Sequence, residues 1–312
     1  MSAETISRES AAALWYVARR PSKVSPKPIP SHMEGATGSG MKVAIQGEPG
    51  AFSHEAALQL DAGCAVVPHS LSADVFAALC SGEVDAAVIP IENSLAGSVS
   101  EHFDLLLTHD VRVEREALLR IHHNLIVLPG TKLEEIDRVF SHPVALAQCR
   151  HFLATHPHME AFAFYDTAGS VKQLAELQDH HAAAIASKSA AAYYGAKVLR
   201  ANIEDNKENF TRFFLVRRAS DAQTLPESNK ISLAFSLENR PGSLVAALAD
   251  LAALGTNLTK IESRPVHGKP WEYIFYVDCQ VRSLDEADRA VAVLKPHCAM
   301  VKELGRYPEA SR

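Results

Sequence analysis

"SLSADVFAALCSGEVDAAVIPIENS", residues 70–94, is the stretch on which the fold turns. A hydroxyl-rich loop leads into a helical segment, and a polar turn follows. The run "VDAAVIPI" (84–91) then ends in a second polar loop. A short apolar run bounded by polar residues marks a strand buried on both faces. "YDTAGSVKQLAELQDHHAAAIASKS", residues 165–189, repeats that order over nearly the same length. The identity between them is low, so a shared βαβ unit is the simplest account. The fuller reading is two similar α/β lobes facing each other across a cleft. The ends of parallel strands are where such sheets bind ligands.

The neighbouring segments fit that scheme. "MKVAIQG" opens as a strand, "EPGAFS" is a Gly/Pro turn, and "HEAALQL" starts a helix with Ser53 as its N-cap. "LIVLP", "DRVFSH" and "AAAIAS" read as strands, while "ADVFAALCSG" and "GSVKQLAELQ" read as helices. Strands alternating with helices predict an α/β domain over residues 41–219, with largely parallel pairing. Residues 1–40 are rich in Pro, Ser and Gly and read as a flexible N-terminal extension. Residues 220–230 are a polar linker. Beyond it the period changes. "ISLAFSLE" alternates strictly, "RPGSLVAALADLAALG" is a helix opened by Pro241 and closed by Gly255, and "NLTKIESRPV" and "WEYIFYVDCQV" alternate again. "LDEADRAVAVLKPH" is a second helix and "AMVKELGRY" a last strand. The order βαββαβ over residues 231–312 is the ferredoxin-like unit.

The chain has 312 residues, which suits two domains. With 31 basic and 37 acidic residues the net charge is −6, which argues against a nucleic-acid binder. An anionic substrate must be attracted locally, because the overall field opposes it. The five cysteines are scattered and lack a C-x-x-C pair, so a disulfide framework and a zinc site are not expected. The histidine doublets at 122–123 and 180–181 cannot share a helix face or a strand face, so no metal is expected. No apolar run approaches the roughly 20 residues of a membrane helix. The N-terminus lacks a signal-peptide core and carries Glu4 and Glu9. A cytoplasmic location follows as the expectation, with no membrane and no nucleic acid among the partners.

Eight segments then carry a resemblance. They are "GEPGAFSHEAA" (47–57), "IPIENSLAGSV" (89–99), "SHPVALAQC" (141–149), "DTAGSV" (166–171), "AAIASKSAA" (183–191), "NFTRF" (209–213), "RPGSL" (240–244) and "NLTKIESRP" (257–265). In this order they resemble a monofunctional prephenate dehydratase: a two-lobe catalytic domain, periplasmic-binding-protein-like, followed by an ACT regulatory domain. Val144 stands where the family often has Gln, and Gly242-Ser243-Leu244 replaces Gly-Ala-Leu. The first motif resembles members that include arogenate dehydratases. No helical chorismate mutase segment is expected before Met41.

The resemblance implies loss of water and carbon dioxide from prephenate, giving phenylpyruvate in phenylalanine biosynthesis. The ring becomes aromatic, so no electron sink and no cofactor is implied. By position Thr211 is the family's catalytic threonine, its hydroxyl hydrogen-bonding the leaving oxygen. Asn93 and Ser94 join it at the end of a buried strand. Arg212 either clamps a substrate carboxylate or makes an outward ion pair with Glu208 or Asp205; Phe213 adjoins it. Ser53 and the amides after Gly50 offer an anion seat. Thr167 and Ala168 play the mirror-image part on the second lobe, as does Ser187. Glu92 and His142 are read as structural. In the ACT part, L-phenylalanine is the implied feedback inhibitor. Its site is expected from Gly242, Ser243, Leu244, Asn257, Leu258, Glu262, Ser263, Arg264 and Pro265, at an interface between ACT domains of a homodimer or homotetramer. Two rivals remain at this level: the same chemistry on arogenate, and a non-catalytic amino-acid sensor.

Overall fold

The computed structural model describes residues 40–311 apart from residues 267 and 270. The extension read into residues 1–40 therefore lies, but for Gly40, outside the described residues. The first lobe runs β1 (Lys42–Gln46), α1 (Phe52–Leu60), β2 (Ala65–His69), α2 (Ser72–Ser81), β3 (Ala86–Asn93), β4 (Gly97–Ser98), α3 (Ser100–Thr108) and β5 (Val111–Arg120). The second lobe follows with β6 (Asn124–Val127), β7 (Arg138–Ser141), α4 (Pro143–Ala147), α5 (Arg150–Ala154), β8 (Glu160–Ala163), α6 (Thr167–Leu177), β9 (Ala182–Ala186), α7 (Lys188–Tyr193) and β10 (Lys197–Arg200). β11 (Phe210–Arg218) returns the chain to the first lobe. The C-terminal part is β12 (Lys230–Leu237), α8 (Ser243–Ala253), β13 (Asn257–Pro265), β14 (Tyr273–Gln280), α9 (Leu284–Leu294) and β15 (Cys298–Tyr307), the βαββαβ order.

The second lobe has a five-stranded sheet in the order β10-β6-β9-β7-β8. The first lobe and the C-terminal part share one ten-stranded sheet, β13-β14-β12-β15-β5-β11-β3-β1-β2, with β4 paired to β3. Parallel pairing holds where helices make the crossovers, β1 with β2 and β3, and β7 with β8 and β9. It fails at the crossings between lobes. β11 is antiparallel to both β3 and β5, and β6 is antiparallel to β9 and β10. A chain that leaves one lobe and comes back must reverse its direction, and alternation of elements along the sequence does not reveal that.

Two helix starts differ from expectation. The N-cap of α1 is Ala51, with no side-chain cap, so Ser53 sits inside the first turn. α8 begins at Ser243 behind the N-cap Gly242, which leaves Pro241 outside the helix, and its C-cap is Leu254.

Each lobe has its own apolar core. Leu125, Val127, Val139, Met159, Ala183 and Ile185 fill the second. One face of the first-lobe sheet packs Val43, Ile45, Ala56, Val88, Phe213 and Leu215. The other face packs Phe76, Leu79, Ile89, Phe103 and Phe214 together with Ile274, Tyr276, Leu304 and Tyr307 of the C-terminal part. This shared core fixes the C-terminal domain against the back of the first lobe. The two sheets become one at a single pair, Gly305 beside Val113. A Cβ at Gly305 would fall on the Val113 backbone, so only glycine fits there.

Candidate active site

The two lobes enclose a cavity of about 480 Å³. It is lined by Thr211, Asn93, Phe213, Ser53 and Thr167 of the expected residues. Thr211 lies between Asn93 on β3 and Leu119 on β5, so the returning strand carries it to the mouth of the sheet. Thr211 and Arg212 are adjacent on one strand, and strand alternation sends their side chains to opposite faces. Thr211 lines the cavity and Arg212 does not.

Asn93 organises the site. Its Nδ2 donates to Thr211 Oγ1 at 2.9 Å, to Asn209 Oδ1 at 2.8 Å and to the Phe210 carbonyl at 3.1 Å. Its Oδ1 accepts from the amides of Leu95 at 3.0 Å and Ala96 at 2.8 Å and from Gln148 Nε2 at 3.3 Å. Gln148 Oε1 in turn accepts from Asn209 Nδ2 at 2.9 Å and from His123 Nε2 at 2.8 Å. The chain of bonds crosses from the first lobe to the second. An amide nitrogen can only donate, so Thr211 Oγ1 accepts from Asn93 and keeps its own hydrogen for a group in the cavity.

Four expected residues take other places. Arg212 is directed to the opposite face of the sheet. Its Nε donates to Glu116 Oε2 at 2.6 Å, Nη1 to Asp278, and Nη2 to Tyr307 Oη at 2.9 Å. It therefore cannot clamp a substrate carboxylate, and its partners are not Glu208 or Asp205. Ser94 Oγ donates to the Glu208 carbonyl at 2.9 Å and accepts from the Phe210 amide at 3.0 Å, bracing the loop before β11. Ser187 caps α7 and donates to the Gly50 carbonyl at 2.6 Å, tying the lobes together. Ala168 is wholly buried in the first turn of α6. Of the residues read as structural, Glu92 pairs with Lys260 at 3.0 Å, while His142 caps α4 yet also lines the cavity.

Gly50 explains the tight loop between β1 and α1. Its φ is +85°, and a Cβ there would come within 2.6 Å of Ala190 Cα in the second lobe. Glu48 in the same loop accepts from Tyr165 Oη at 2.9 Å and Lys172 Nζ at 3.0 Å. The lobes thus meet along one side and the cavity opens beside that seam.

Among the described residues neither lysine nor arginine lines the cavity; Glu48 and Asp166 do. Burial raises the Asp166 carboxyl above its usual range and Glu48 pushes it further, while the Gly169 and Glu48 amides and His142 pull it back. Donors for an anion are amides and hydroxyls: the uncapped N-terminus of α1 at Phe52 and Ser53, and Thr167. Val144 lines the wall as an apolar group.

Gln148, His123, Asn209 and Asp166 are the residues that motif reading passed over. Gln148, Asp166 and Asn209 stand inside quoted motifs and His123 in a histidine doublet, but their convergence is tertiary and no spacing announces it.

His123 is buried, which holds its pKa below the ordinary histidine value despite the Gln148 bond. His102, beneath the cavity floor with Nδ1 2.5 Å from the Pro90 carbonyl, is held down mainly by burial too. Both bind protons less readily in the fold than when unfolded, where the ordinary value is about 6.5. Their stabilisation is therefore full above about pH 6.5 and is lost as the pH falls below it. Thermal melts should be flat from pH 8 to 7 and decline toward pH 5. His102→Gln should flatten that decline; an unchanged slope would refute the assignment.

In the C-terminal domain, Gly242 and Ser243 line a second pocket with Arg240, Pro241, His297 and Cys298. Leu244 and Leu258 pack on the domain's own core, and Asn257 Nδ2 bonds Gln280 at 2.8 Å. Glu262 and Arg264 do not join that pocket. They face the first lobe, Glu262 accepting from Ser98 and Arg264 pairing with Asp104 at 2.6 Å. Ser263 and Pro265 alternate with them and are exposed.

Comparison with known proteins brings this geometry together. Residues 43–221 match the family model for prephenate dehydratase, and residues 231–295 match the model for the ACT domain. Arogenate dehydratase/prephenate dehydratase 2, chloroplastic, of Arabidopsis thaliana is 39% identical over 303 residues, covering 92% of this chain and 78% of the relative. The bifunctional chorismate mutase/prephenate dehydratase of Stutzerimonas stutzeri is 37% identical over 276 residues, covering 86% of this chain and 74% of the relative. The crystal structure of the prephenate dehydratase of Arthrobacter aurescens in complex with L-Phe is similar at a TM-score of 0.78 and 32% identity, covering 86% of this chain and 90% of that one.

Proposed function

Because the chain belongs to the prephenate dehydratase family and carries an ACT domain, we propose that it converts prephenate to phenylpyruvate, water and carbon dioxide in phenylalanine biosynthesis. The observation that carries the mechanism is the Asn93 donation to Thr211 Oγ1, which leaves the hydroxyl hydrogen for the cavity. In this reading the C–O bond at the ring breaks as the hydroxyl oxygen gains charge. Thr211 donates a hydrogen bond to that oxygen, and one proton taken up from solvent lets it leave as water. The ring carboxylate departs as carbon dioxide, and its bonding pair completes the aromatic ring. Threonine is a weak acid, so its part is a preorganised hydrogen bond rather than general acid catalysis. The α1 N-terminus with Ser53 and the Thr167 hydroxyl receive the substrate carboxylates. Phe213 packs beside the ring.

A second reading, arogenate as substrate, is favoured by one observation. Among the described residues Glu48 and Asp166 line the cavity with no lysine or arginine beside them in its wall, and only Glu48 has a lysine partner, Lys172. A carboxylate suits the ammonium of arogenate better than the keto group of prephenate. Purified protein should be given each compound in turn, with phenylpyruvate followed for prephenate and phenylalanine for arogenate. Turnover of prephenate supports the primary reading. Turnover of arogenate alone replaces it with the second, and failure of both removes the dehydratase assignment.

The domains follow as residues 41–219 catalytic, 220–230 linker and 231–312 regulatory. The regulatory part binds L-phenylalanine and joins chains into a homodimer or homotetramer. The five cysteines are free, as suits a reducing cytoplasm. Among the described residues no helix is long and apolar enough to cross a membrane.

A further inference from the structure

The register of the two central strands holds a second pair behind the first. Thr211 is opposite Asn93 across β11 and β3, and Arg212 is opposite Glu92. Alternation points the first pair into the cavity and the second pair out of the other face. On that face both meet the C-terminal domain. Glu92 accepts from Lys260 Nζ at 3.0 Å, and Arg212 donates to Asp278 and to Tyr307 Oη. Lys260 and Arg212 are largely shielded, with side chains 9% and 12% exposed. Lys260 also donates to Ser98 Oγ at 2.8 Å. Ser98 lines the cavity, and β4 pairs it with Glu92.

The sequence of β13 shows why these groups can reach. The register against β14 shifts between Leu258 and Lys260. Such a bulge reverses the alternation beyond it. Leu258 therefore stays with the helices of its own domain, while Lys260, Glu262 and Arg264 turn toward the first lobe. Asp278 shares that face of β14, beside Ser232 and Tyr307 of β12 and β15.

We propose that the Lys260–Glu92 and Asp278–Arg212 contacts couple the effector state of the C-terminal domain to the alignment of Asn93 and Thr211. These four are positioning residues: each acts on the backbone that carries a cavity-facing neighbour, and none touches substrate. A shift of β13 and β14 changes both clamps at once, so the effector reaches the catalytic pair through two strands only one residue removed from it. The inference rests on the reading of the C-terminal domain as phenylalanine-responsive.

The test begins with the parent chain, assayed on prephenate with and without L-phenylalanine. A parent that phenylalanine leaves unaffected overturns the regulatory reading and this inference with it. Given an inhibited parent, Lys260→Gln and Asp278→Asn are compared with it by rate and by calorimetric binding of phenylalanine. Both should bind phenylalanine within about threefold of the parent yet lose at least about fivefold of its effect on rate, the lower end of usual allosteric coupling. KM should hold while kcat moves, and Lys260→Arg should restore the response. Two variants guard against the failure of either one to fold. Inhibition of both at the parental level, with binding intact, would overturn the coupling while leaving the regulatory reading in place. Loss of binding together with inhibition would assign these residues to the effector site and overturn it as well.

Discussion

Thr211→Val should lower kcat on prephenate by roughly 100–1,000-fold, the loss expected when one preorganised donor to a developing oxyanion is removed. Valine preserves the branched shape that β11 packs between β3 and β5, so the strand should survive. It removes the only atom of that side chain able to donate. It also leaves Asn93 Nδ2 with Asn209 and the Phe210 carbonyl as partners, so the loop need not rearrange. KM should change little, because an interaction made mainly in the transition state appears in kcat. Thr211→Ser should keep most of the rate. Equal losses in the serine and valine variants would point to packing rather than to the hydroxyl.

The second large effect is on stability. Glu116 is buried where β5 meets the C-terminal domain. Its Oε2 takes Arg212 Nε at 2.6 Å, and its Oε1 takes Lys230 Nζ at 3.1 Å and the Ala310 amide at 2.8 Å. Glu116→Ala leaves two shielded cations each short of a partner. Breaking a buried ion pair from one side typically costs about 3–5 kcal/mol, and denaturant unfolding should show a loss of that order. Asp278 and Glu309 remain to hold Arg212 and Lys230, so the lower part of that range is expected. Glu116→Gln should lose less, because an amide oxygen can still accept. A loss below about 1 kcal/mol would mean that the cluster is no more than a solvated surface pair.

Much of the fold is written in local pattern. The repeated order of helix and buried strand at residues 70–94 and 165–189 does mark the two lobes, as α2–β3 and α6–β9. The change to strict alternation after residue 230 marks the βαββαβ part. What local pattern misses is direction and pairing. Nothing in "FTRFFLV" says that β11 lies between β3 and β5 and runs against both. The fusion of two sheets at Gly305 and Val113 is a single close approach between residues far apart in the chain.

The site divides in the same way. Thr211 and Asn93 stand at strand ends beside polar loops, and such positions can be read. Gln148, Asn209 and His123 become partners only when the second lobe closes the network. Arg212 is the instructive case. Its chemistry suits a carboxylate, but its face is set by a neighbour already turned inward, and the anions it meets belong to Glu116 and Asp278.

The central claim is that the Thr211 hydroxyl helps the ring oxygen leave as the carboxylate departs. It is tested most directly by carbon dioxide release from prephenate labelled at the ring carboxyl, measured on the parent and on Thr211→Val at matched folded concentration. The account predicts one carbon dioxide per phenylpyruvate from the parent and at least about a hundredfold slower release of both from the variant. Release from Thr211→Val at the parental rate would contradict it.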